Sequence, residues 1–112
     1  MIDYNNRRFV VRSNSGNGAL DGDTKFSYQQ EGSIVTCTYF GNNIIKGHLL
    51  AVVGALGELD MRYHQVSRSG ELMTGTCSST PEILPNGKIR LHEKWKWTSG
   101  DYSEGSSVLE EE

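Results

Sequence analysis

One carboxylate stands where an apolar side chain is expected. In the stretch KIRLHEKWKWT, Ile89, Leu91, Glu93, Trp95 and Trp97 share one parity, and Lys88, Arg90, His92, Lys94 and Lys96 share the other. A strand sends alternate side chains to opposite faces, so this reads as an apolar face and a basic face, with Glu93 on the apolar one. Burying that carboxylate unpaired costs several kcal/mol or raises its pKa. Three roles fit it: a ligand anchor, a general acid/base, or an interior carboxylate satisfied by an Arg or by a phenol such as Tyr28 or Tyr39.

The neighbouring chemistry is aromatic. Trp95 and Trp97 fit a core or the wall of a small-molecule site. Tyr28, Tyr39 and Tyr63 lie on inward parities of three further strands, where a phenol buries its ring and keeps a hydroxyl for a ligand. In ELDMRYHQVS, Leu59, Met61, Tyr63 and Gln65 form one face, and Asp60, Arg62, His64 and Val66 the other. The first face is favoured inward because Leu59 and Met61 want burial; the second would bring Arg62 beside Glu93. His48, His64 and His92 fall on three strands, and with Cys37 and Cys77 they show no metal-ligand spacing, so neither metal nor cofactor is implied. Both cysteines read as small buried apolar side chains. No nucleophile elbow is present for serine chemistry.

These residues need elements to hold them. Eight runs rich in Val, Ile, Thr, Tyr, Phe and Trp span about Arg7–Asn14, Asp23–Gln30, Ser33–Phe40, Ile44–Val53, Glu58–Ser67, Glu71–Ser79, Lys88–Thr98 and Ser103–Glu110. Turn chemistry separates them: an opening loop containing Gly16-Asn17-Gly18 and Asp21-Gly22, then Glu31-Gly32, Gly41-Asn42-Asn43, Gly54 to Gly57, Ser69-Gly70, Asn86-Gly87 and Ser99-Gly100. Phe9, Val11, Phe26 and Tyr28 mark inward faces. In the fourth run Ile45, Leu49, Ala51 and Val53 share a face with Gly47, which is placed to make a bend or bulge. No window has a helical period.

Short connectors favour neighbour pairing, and closing the last strand on the first removes both edges. The expectation is an all-β, eight-stranded antiparallel up-and-down barrel, calycin-like, forming one domain over 1–112, with room inside for side chains or one small ligand. Pro81 and Pro85 bracket a connection, Ser79–Pro85, placed to cover one mouth. The acidic tail Glu110–Glu112 reads as solvated and frayed.

Length and charge narrow the function. The 112 residues carry a net charge of −3, unsuited to general nucleic-acid binding. No apolar run reaches the roughly 20 residues that span a bilayer, and the start lacks a signal-peptide pattern, so a cytoplasmic location is expected.

The run from Leu59 to Glu110, with LDMRYHQV and the stretch from GELMTGTCSST through KWKWTSGDYSEG, resembles a family of small bacterial proteins often labelled N-acetylglutamate synthase. The likeness extends to the FVVRSNSGNG opening and the FSYQQEG hairpin. That label implies acetyl transfer from acetyl-CoA to glutamate. At the level of fold, the strand pattern is similar to calycin barrels such as lipocalins and fatty-acid-binding proteins. The chain lacks the lipocalin Gly-x-Trp and the fatty-acid binders' C-terminal Arg-x-Tyr, so no binding residue carries over.

The reading that follows is a small-molecule-binding protein with an interior pocket: Glu93 as polar anchor, Tyr28, Tyr39, Tyr63, Trp95 and Trp97 as lining, and Arg62 on the competing face. The alternatives are an isomerase, cyclase or lyase with Glu93 as base and a tyrosine or Arg62 as electrophilic partner, the acetyltransferase of the label, and a filled barrel acting as an interaction module. Homodimerisation through an exposed strand face stays open.

Overall fold

A computed structural model describes residues 2–15 and 24–112. The opening loop around Gly16-Asn17-Gly18 and Asp21-Gly22, and Asp23 at the expected start of the second strand, lie outside the described residues. Eight strands follow one another: β1 Arg7–Asn14, β2 Lys25–Glu31, β3 Ile34–Gly41, β4 Ile44–Val53, β5 Leu59–Ser67, β6 Leu72–Ile83, β7 Ile89–Trp97 and β8 Glu104–Glu111. Each pairs antiparallel with its sequence neighbour, and β8 pairs with β1, so the sheet is a closed up-and-down barrel. Turn glycines make the short connections possible: Gly32, Gly57, Gly70, Gly87 and Gly100 have φ from 61 to 90°, which a Cβ would oppose.

The barrel is filled unevenly along its axis. Toward the end carrying the β2–β3, β4–β5 and β6–β7 connections, Phe9, Val35, Ala51, Leu59, Ile89, Leu91 and Leu109 pack as an apolar plug. Tyr4, ahead of β1, lies over this end; its hydroxyl donates to the Gly57 carbonyl at 2.5 Å, and its ring sits 6.4 Å from Phe9 and 6.1 Å from Tyr28. Toward the other end, aromatic and polar side chains replace the aliphatic ones.

Four expectations are corrected. The register shifts between Ile44 and Lys46, so the parity of β4 changes there: Ile44 is buried and Ile45 faces out, while Leu49 and Ala51 remain inside. Gly47 is not that irregularity. It pairs directly with Tyr39, whose ring occupies the space where a Cβ would stand. β6 does not stop at Ser79 but continues through Pro81, which pairs with Leu91. Its pairing with β5 ends at Leu59–Ser79, so beyond that point β6 has no second ladder for a missing amide to interrupt. The acidic tail is not frayed: Glu110 and Glu111 belong to β8, Arg90 bonds Glu110 at 3.1 Å and Arg7 bonds Glu111 at 2.9 Å, and the Glu112 amide donates to the Arg8 carbonyl.

Candidate functional site

Glu93 is buried at the middle of β7, and the register supplies its partners. It stands directly beside Ser79 of β6 and Ser107 of β8, so three adjacent strands present Ser, Glu and Ser in one inward row. The Ser79 hydroxyl donates to Glu93 Oε2 at 2.5 Å, and the Ser107 hydroxyl to Oε1 at 3.2 Å. Among the described residues no Arg or Tyr bonds the carboxyl group; the satisfied interior carboxylate, one of the three roles considered, would rest on serines instead. Burial pushes the Glu93 pKa up, and the two serine hydrogen bonds oppose that without overcoming it.

Above this row lies a cavity of about 40 Å³, lined by Asn14, Phe26, Tyr28, Tyr39, Leu49, Met61, Tyr63, Gln65, Cys77, Glu93, Trp95, Trp97 and Leu109. That is room for about three waters, or for a small group that displaces them. Its walls are rings held against glycine. Tyr39 faces Gly47, Tyr63 faces Gly75 and Trp95 faces Gly105, each pair directly opposite across two strands. A Cβ at any of the three would enter the ring; at Gly105 it would sit 2.5 Å from Trp95. Trp97 completes the wall, with its centroid 5.4 Å from Tyr63 at 70° and 6.1 Å from Trp95 at 58°.

Two buried polar atoms in this lining have no hydrogen-bond partner among the described residues: the Tyr28 hydroxyl and Gln65 Nε2. Gln65 Oε1 accepts from the Tyr39 hydroxyl at 2.9 Å, which orients the amide. Burial raises the Tyr28, Tyr39 and Tyr63 pKa values, with Glu93 adding to each, so all three phenols stay protonated. Cys77 is likewise raised, and Cys37 is pushed up to about 12; both are buried and free, and neither is a thiolate nucleophile.

Thus Glu93, Tyr28, Tyr39, Tyr63, Trp95 and Trp97 come together in one place, with the Tyr63 face of β5 inward. Arg62 does not join them. It lies on the outer face, exposed, and bonds Asp60 at 2.7 Å, because β5 alternates strictly and Leu59, Met61 and Gln65 claim the interior. His92 is also outside, 2.8 Å from Glu82. The basic parity of β7 is an outer face, as its alternation predicts. The residues missed were Ser79 and Ser107.

A closed eight-stranded antiparallel barrel with its polar groups sunk in an aromatic pocket defines a calycin-type barrel protein. A profile described as avidin-like protein matches residues 2–112, and the chain belongs to the avidin-like family. Comparison with curated proteins and with solved structures returns no match. The N-acetylglutamate synthase expectation finds no support in this family assignment or in the barrel.

Proposed function

We propose that this protein binds a small molecule in the aromatic half of its barrel, with Glu93 as the polar anchor. The observation that carries this reading is the pair of buried, unpartnered groups, Tyr28 Oη and Gln65 Nε2, lining the same cavity as Glu93. Native proteins rarely leave buried polar atoms unpaired, and a ligand's complementary atoms would pair them. Family membership supports the reading, since barrels of this kind generally take small ligands such as biotin. The test is native mass spectrometry on gently purified protein, followed by titration of any adduct, and of biotin, into the parent and Glu93→Gln. A ligand whose affinity is unchanged by that substitution removes Glu93 as anchor.

The enzyme alternative keeps Glu93 and a neutral phenol but loses Arg62 as electrophile. For a homodimer, Ile34, Leu50 and Val52 offer an exposed apolar strip on the outer face of β3 and β4, where Ile34 pairs with Val52 and Thr36 with Leu50. The mass of the native protein tests it.

A further inference from the structure

We propose that the ligand of this pocket is a small organic cation, held by N–H donors on Glu93 and enclosed by the faces of Trp95, Trp97 and Tyr63. This rests on the pocket reading above and names its ligand class.

The charge inventory points that way. Glu93 is the one buried carboxylic acid among the described residues, in company with Thr24, Gln65, Ser79 and Ser107 as buried polar side chains. None of the 11 Lys and Arg residues is buried, and no histidine is. The interior therefore holds an acid with no counter-charge, an arrangement that loses stability as the acid ionises unless a cation arrives. The serines use one acceptor site on each carboxyl oxygen, and a carboxylate offers about four, so two remain for a ligand.

The rings agree with the charge. Trp95, Trp97 and Tyr63 are mutually inclined, at 58° and 70°, and so make a corner of non-parallel π faces rather than a slot between parallel plates. A flat neutral ring stacks best in a slot, whereas a cation gains from each face it meets. Gln65 Nε2 is a donor, so the ligand's far end carries an acceptor, a carbonyl or hydroxyl. The small cavity limits the cationic group to the size of an ammonium or amidinium.

Binding then exchanges a proton. The Glu93 carboxylic acid and the cation give a carboxylate–cation pair and release one H⁺ to solvent, so affinity climbs with pH until Glu93 is ionised in the free protein, and then levels. The other titratable groups around it are Tyr28 from β2, Tyr39 and Cys37 from β3, Tyr63 from β5 and Cys77 from β6. All are pushed up by burial and stay neutral over that range. A neutral ligand accepting a hydrogen bond from protonated Glu93 would show the opposite slope.

The test uses isosteric pairs that differ in charge: acetamidinium against acetamide, and benzamidinium against benzamide. Each is titrated into the full chain at about pH 5.5 and about pH 8.5, with the backbone amide shifts of Tyr39, Gln65 and Trp97 as readout. The amidinium of each pair should bind about tenfold tighter than its amide, more tightly at the higher pH, and Glu93→Gln should erase the preference. The pH slope of the parent protein stands as evidence even if that variant does not fold. Amides that bind as well as amidinium ions, an affinity that falls with pH, or a preference that survives Glu93→Gln would overturn the cation class and leave the pocket standing. No shift with any of the four, together with a bare native mass, would overturn the pocket as well.

Discussion

At the scale of the residue, Glu93 sets the protein's response to pH. Its folded-state pKa is raised, so its contribution to stability is full below the ordinary carboxylate pKa and is lost as pH rises through the folded value. Thermal melts of the ligand-free protein should therefore fall from mildly acidic pH toward neutrality. Glu93→Gln should flatten that decline and be more stable above it, by on the order of 1–3 kcal/mol; a parent melt that rises over this range would contradict the assignment. Arg62→Ala, outside the barrel, should change stability by less than about 0.5 kcal/mol and leave ligand affinity alone, as measured by denaturation and titration. Parity alone made Glu93 legible, because it is the polar exception on an apolar face. Its serine partners were legible too, through hairpin symmetry: Ser79 and Glu93 are each seven positions from Asn86, and Glu93 and Ser107 each seven from Gly100. Treating Ser79–Pro85 as a loop concealed the first of these relations, since it removed the strand on which the count depends.

At the scale of the element, the strands are shaped by which residue faces which. Three glycines stand opposite three aromatic rings, and the rings lie over the bare backbone they leave. Gly75→Ala should push the Tyr63 ring into the cavity and cost about 1–3 kcal/mol. The share due to the ring should vanish when Tyr63→Leu is already present, while the share due to the Lys96 carbonyl, which the new Cβ would meet at 2.8 Å, should remain; a double-mutant cycle in urea would separate the two. The seam between β8 and β1 is tied by charge as well as by its ladder. Glu111 accepts from Arg7 and from the Ile89 amide at 3.1 Å, so Glu111→Ala should cost about 1 kcal/mol in the same assay. Strand positions followed from β-branched and aromatic runs between turn residues. The parity change in β4 did not, because a bulge is decided by how two strands meet, and neither sequence run announces it. The ordering of the tail escaped for a similar reason: its glutamates look solvated until closure places β1 and β7 beside them.

At the scale of the whole molecule, closure was legible because every connector after the opening loop is short and an open eight-stranded sheet would leave two edges. The distribution of contents along the axis was not. Alternation says which side chains turn inward, but register decides their height, and register set the aliphatic plug at one end and the polar cavity at the other. That division has a spectroscopic consequence. The chain contains two tryptophans, and both line the cavity, so all of its intrinsic indole fluorescence originates in the pocket wall. A ligand that displaces water there should shift or quench the entire emission band, which makes the unlabelled protein its own binding reporter.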